Sequence, residues 1–118
     1  MKTNLSKGKQ GESLARDYIL NKGYKILEMN YTSKIGEIDI IALDKDILAF
    51  IEVKTRSNIN FGYAYEAVNY KKQKKIINTS YIYIKHKNIK NIQIRYDIIE
   101  IYLGKHTDIN HIKDAFGL

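Results

Sequence analysis

The chain has 118 residues, with 20 Lys and Arg against 13 Asp and Glu, a formal charge of +7. It has no cysteine, which excludes a disulfide scaffold, a thiol nucleophile and a cysteine-ligated zinc site. The length suits one domain over residues 1–118, no stretch reaches the roughly 18 apolar residues of a membrane span, and the basic excess points to a polyanionic partner.

The start, MKTNLSKGKQGES, is basic but lacks an apolar segment. No signal peptide is expected, and the expected location is cytoplasmic. The first periodic segment covers residues 7–22, where Leu14, Ala15, Tyr18 and Ile19 fall on one helix face. Gly23 follows it, where a glycine stop is expected. Three strand-like stretches come next, at 24–31, 36–43 and 47–54. The last two are joined by Asp44-Lys45-Asp46, a turn suited to an antiparallel hairpin. Residues 55–63 read as a loop and 64–83 as a long helix. Residues 91–103 alternate as a fourth strand, and 106–118 could form a short edge strand followed by a turn. This order predicts an α/β fold, a central mixed β-sheet flanked by α-helices. The long connection before the fourth strand allows it to lie parallel to the third.

The charge is uneven. Residues 1–60 carry 10 basic and 8 acidic side chains, whereas residues 61–118 carry 10 and 5. Lys71, Lys72, Lys74 and Lys75 share one helix and span an arc of about 160°, with Tyr70, Ile76, Ile77 and Tyr81 expected opposite. The basic face is either a solvated surface or a salt-sensitive phosphate contact. Tyr63, Tyr65 and Tyr70 could stack on bases, although core packing is their default. His86, His106 and His111 show no metal-ligand spacing, and surface or capping roles are expected.

The chemistry concentrates in residues 36–56, GEIDIIALDKDILAFIEVKTR. Asp39, Glu52 and Lys54 interrupt strands that should be apolar. Buried acids are costly unless paired or bound to a cation. Residues two apart share a strand face, so Glu52 and Lys54 point the same way, as do Glu37 and Asp39. If the strands pair, Asp39 and Glu52 converge. Two carboxylates with an ammonium suit Mg²⁺-assisted hydrolysis of a phosphodiester. An internal salt bridge between Lys54 and either acid is the plainer alternative.

Asp39 followed by Glu52-Val53-Lys54 resembles the PD-(D/E)XK nuclease signature. More closely, the chain resembles the YraN family of predicted endonucleases. The match runs through Gly8, Gly11-Glu12, Gly23-Tyr24, Asn30 and Gly36-Glu37-Ile38-Asp39. It continues through residues 50–56, Gly62, Glu66-Ala67-Val68, Lys72-Gln73, Arg95-Tyr96-Asp97, His111-Ile112 and Ala115-Phe116. Ile38 stands where the signature's name has Pro, but the carboxylate after it is retained. The resemblance implies a restriction-endonuclease-like core. It implies Mg²⁺ or Mn²⁺ held by Asp39, Glu52 and the Val53 carbonyl, with Lys54 as the catalytic lysine. Glu12 is similar to the extra first-helix acid of archaeal Holliday-junction resolvases and would join the metal and catalytic set. Its alternative is a favourable charge near a helix N-terminus. Arg56, Lys71, Lys72, Gln73, Lys74 and Lys75 would meet nucleic acid, with Gln73 otherwise a boundary residue. Arg95 and Asp97 are expected to form a structural pair.

The expected function is therefore a metal-dependent endonuclease acting on DNA, branched or damaged forms included. The alternative is a non-catalytic nucleic-acid-binding module on the same fold. The small surface leaves room for a homodimer, as in the resolvases.

Overall fold

The computed structural model describes residues 6–57 and 68–117. The chain forms α1 (Lys7–Asn21), β1 (Lys25–Thr32), β2 (Glu37–Asp44), β3 (Ile47–Arg56), α2 (Tyr70–His86), β4 (Gln93–Tyr102) and β5 (Asp108–Phe116). The strands make one sheet in the order β1-β2-β3-β4-β5. β3 and β4 are parallel and the other neighbours antiparallel. The result is the expected α/β arrangement, a five-stranded mixed sheet between two helices, as a restriction-endonuclease-like core requires.

Each helix begins on a polar cap. Ser6 Oγ accepts from the Lys9 N–H, and Asn69 Oδ1 accepts from the Lys72 N–H. α1 buries Gly11, Ala15 and Ile19 at four-residue spacing and stops before Gly23, whose φ of +88° is free only to glycine. α2 buries Ile76, Ile77, Thr79, Ser80 and Tyr83. Val68 and Asn69 are not helical, so the helix starts later than its composition suggests. Residues 64–67 of the expected helix, with Tyr63, Tyr65 and most of the expected loop, lie outside the described residues. Thr55 and Arg56, expected in that loop, extend β3 instead, because both pair with β4. Tyr70 and Tyr81 do not join the apolar face: they are 70% and 42% exposed.

Side chains from the sheet fill two cores. On one face, Ile41, Leu48, Phe50 and Ile98 pack against Ile76, Ile77 and Tyr83 of α2. On the other, Ile40, Ala42, Ala49, Ile51 and Ile99 pack against Ala15 and Ile19 of α1. Each fully buried Ile or Leu contributes roughly 1.5–3 kcal/mol. The sequence left the tail open; it forms a nine-residue edge strand, β5, paired along β4.

Both outer strands are irregular. β1 shifts register between Ile26 and Glu28, and Asn30 within it has φ +54°. β5 shifts register opposite the Tyr96–Ile98 step, and Asp114 has φ +53°. At Asn30 the pleat turns over. Met29 and its partner Ile40 belong to the α1-side core, whereas Tyr31 and its partner Ile38 belong to the α2-side core. In an even strand, residues two apart would share a face. Asp39 lies at this inversion.

Candidate active site

The sheet forks beside Asp39. β2 and β3 are in register from Asp44↔Ile47 to Ile40↔Ile51. Past that point β2 stays with β1, to Glu37, and β3 stays with β4, to Arg56. Asp39 and Glu52 are the first residues beyond the paired segment. The Asp39 carboxylate turns into the gap, where its Oδ2 accepts from the Val53 N–H at 2.8 Å. A side chain thus takes the donor that the neighbouring backbone has given up.

Two chambers open from the fork. One, of about 260 Å³, is bordered by Glu12, Asp39, Glu52, Val53, Lys54 and Lys72. The other, of about 480 Å³, is bordered by Glu37, Asp39, Glu52, Lys71, Lys72 and Lys75. Glu12 reaches the first because α1 crosses β3 closely. A Cβ on the adjacent Gly11 would lie 1.8 Å from Thr55 Oγ1, so only glycine fits there. Glu12 lies beyond the first turn of α1, which contains no acid. Its neighbours are the strand carboxylates rather than the helix N-terminus.

The electrostatics are strained. Glu52 is 4% exposed. Its Oε2 lies 2.7 Å from Lys72 Nζ and 3.7 Å from Lys54 Nζ. Neither ammonium is directed along a hydrogen bond, so this buried oxygen has ion-pair partners but no aligned donor. Burial, and then the neighbouring Glu52 carboxylate, push Asp39 up to about 8; the Val53 N–H works the other way, and Glu12 adds to the rise. Lys54 is lowered by burial and by Lys72, against the pull of Glu52 and Asp39. Burial also opposes the charge on Lys72, but its contact with Glu52 outweighs this and raises it.

The structure therefore brings together Glu12, Asp39, Glu52, Val53 and Lys54, with Lys71, Lys72 and Lys75 beside them. Other expected site residues lie apart. Gln73 donates its side-chain amide to the Val68 carbonyl at 2.9 Å, closing the start of α2. Lys74 lies over the Tyr70 ring, 5.5 Å from its centroid. Arg56 ends β3, its carbonyl accepting from the Leu103 N–H, and borders neither chamber. The ion pair of Lys72 with Glu52 is new. Asn69 as a helix cap was the available signal, since it starts the helix at Tyr70 and places Lys72 in the first turn.

A second polar cluster lies on the α1 side. Arg95 clasps Asp97 with two hydrogen bonds of 2.8 and 2.9 Å, and also donates to Asp44 Oδ2 and the Tyr24 hydroxyl. His111 Nε2 lies 2.8 Å from Asp97 Oδ2, and the Asp114 N–H donates to Oδ1. The expected Arg95–Asp97 pair is present. His111 is not a surface residue: its side chain is 4% exposed and packs edge-on against the Tyr18 ring.

Residues 11–101 match the model of an uncharacterised protein family, UPF0102. The chain belongs to this family. It is 55% identical to a UPF0102 protein of Clostridioides difficile, over 96% of this chain and 98% of that one. It is 50% identical to one of Caldanaerobacter subterraneus, over 92% and 93%, and 45% identical to one of Persephonella marina, over 95% and 94%. The family match includes every residue of both chambers except Gly8.

Among the described residues, no group of three or more His, Asp or Glu side chains is arranged to hold a metal ion, so Glu12, Asp39 and Glu52 do not form a ready three-acid cage. The donors still fit a hard divalent cation. Asp39 and Glu52 offer carboxylate oxygens, one of them buried without an aligned donor, and Mg²⁺ needs only one or two carboxylates because it keeps several waters. Among the described residues, no helix is long and apolar enough to cross a membrane.

Proposed function

We infer that this protein is a Mg²⁺- or Mn²⁺-dependent endonuclease of the PD-(D/E)XK type that hydrolyses phosphodiester bonds in DNA. One observation carries the reading. Two carboxylates, half-buried Asp39 and buried Glu52, meet Lys54 where the sheet forks, and a cleft lined by Lys71, Lys72 and Lys75 opens from the same point. A purely structural ion pair has no use for an open chamber, a third acid and a basic rim. Asp39 and Glu52 would hold the cation, with the Val53 carbonyl and Glu12 as further oxygens. The cation would supply Lewis-acid activation of water and phosphate. Lys54, lowered by burial and by Lys72, is suited to exchanging a proton with water and to offsetting charge on the phosphate oxygens. Lys71 and Lys75 would grip the backbone, with salt-sensitive affinity.

The contact of Lys72 with Glu52 favours a second reading. An already neutralised carboxylate fits a module that binds nucleic acid without cleaving it. Cleavage of linear, single-stranded, flapped and four-way DNA with Mg²⁺ or Mn²⁺ separates the two. The nuclease reading expects wild-type cleavage that is lost in Asp39→Ala and Lys54→Ala while binding persists. Equal cleavage by all three proteins would sink it, and binding without cleavage under every condition would favour the module.

A further inference from the structure

Lys72 borders both chambers, and its ammonium lies at their junction, on Glu52 Oε2. Its backbone is fixed, because the Lys72 N–H is held by the Asn69 cap at 2.9 Å. Its side chain is 46% exposed. A firmly rooted lysine with a flexible stem can change partners without disturbing the fold. The oxygen it holds is buried and without an aligned hydrogen bond. This is the oxygen a divalent cation would take, at about 2.0–2.1 Å for Mg²⁺. An ammonium and a metal ion cannot share it, since the two would be like charges in contact in a poorly screened site. The larger chamber lies alongside, and Lys71 and Lys75 already face it.

We propose that Lys72 is an exchangeable counter-ion. It neutralises Glu52 in the ion-free protein, yields that oxygen to a divalent cation, and turns into the larger chamber as a third cation for phosphate. This rests on the reading of Asp39 and Glu52 as cation ligands. Its consequence is thermodynamic: cation and nucleic acid strengthen each other's binding, because each takes what the other releases.

The test is calorimetric titration of Mn²⁺ into the full chain at one fixed pH without nucleic acid. It compares wild type with Lys72→Ala and Lys72→Met, the latter keeping most of the stem. Both variants should bind Mn²⁺ about tenfold more tightly, within the usual range of coupling between sites. Wild-type affinity for duplex DNA should rise on adding non-catalytic Ca²⁺, and this gain should vanish in both variants. Unchanged or weaker Mn²⁺ affinity in both variants, with wild type binding normally, would overturn the exchange alone. Absence of Mn²⁺ binding from all three proteins would overturn the ligand assignment and the exchange together. A readout independent of variant folding is the side-chain ammonium resonance of Lys72 in the wild type. It should lose its Glu52 environment as Mg²⁺ saturates, and a resonance that does not move would overturn the proposal.

Discussion

Besides Glu100, which the Tyr102 hydroxyl and the Asn110 amide hold, the sheet encloses acids in two clusters, and the two are built in opposite ways. Asp97 is 0% exposed, yet both its oxygens are filled by Arg95, His111 and the Asp114 N–H. Burial raises its proton affinity, but those hydrogen bonds outweigh burial and hold its carboxyl below the usual range. Asp39 and Glu52 have no arginine. Both nearby lysines lie on one oxygen of Glu52, which lacks an aligned donor, and Asp39 is pushed up to about 8. A buried charge with aligned partners fixes a fold, whereas one held only by ion pairs beside an open cavity is a candidate for exchanging those partners for a ligand. The geometry differs accordingly: the Asp97 cluster is packed beneath Tyr18 and Tyr24, and the Asp39 cluster lies where strands separate.

Substitutions should break this contrast in a definite order. The largest expected effect is on cleavage, where Asp39→Ala and Lys54→Ala should each cost roughly 10²–10⁴-fold while leaving the melting temperature unchanged or higher. Asp97→Ala should do the reverse. It strands Arg95 and His111, so chemical denaturation should show a loss of about 3–5 kcal/mol. An equal loss of stability from Asp39→Ala would remove the distinction.

The pH dependence should have opposite signs at the two clusters. Asp39 binds its proton more tightly folded than unfolded. Its contribution is fully present below the unfolded value, about 3.9, and is lost as pH rises through about 8. Asp97 is lowered, so its contribution is present above about 3.9 and lost as pH falls through the lower folded value. In ion-free protein, Asp39→Asn should therefore flatten the alkaline loss, by on the order of 1–3 kcal/mol between pH 5 and 9, and leave the acid limb intact. Denaturation midpoints from about pH 2 to about pH 9 check both limbs. The smallest effect is steric. Gly11→Ala should cost about 1–2 kcal/mol through the clash with Thr55. Thr55→Ala should restore most of that loss, because Thr55 is what the new Cβ would meet.

Much of the site was legible because its residues break a pattern. Asp39, Glu52 and Lys54 stand out in apolar strands, and two-residue periodicity puts Glu52 and Lys54 on one face. The hairpin, the parallel β3–β4 pair and Glu12 beside the carboxylates agree with the sequence reading. What escaped it depended on long-range partners. The His111 side chain turns inward to Asp97, fourteen residues earlier on the neighbouring strand. β5 carries few apolar residues, so its alternation is weak. Tyrosine is amphipathic, which is why Tyr70 and Tyr81 could be placed on the wrong face of α2. Asn30 looked like an ordinary strand residue, although its left-handed backbone accompanies the turnover of the pleat beside Asp39.

The irregular outer strands also bear on the exposed borders of the sheet. A free sheet edge is a template on which another chain can add a strand, and kinks at the edge defeat such growth. Here the β1 edge is irregular at the Ile26–Glu28 shift and at Asn30, and the β5 edge has a second bend where the shift opposite Tyr96–Ile98 contains Asp114. The second bend is tied into the fold, because the Asp114 N–H is held by buried Asp97. The contact that stabilises the interior therefore also guards the border against runaway pairing. Extension of the sheet by a second copy of the chain is thereby disfavoured.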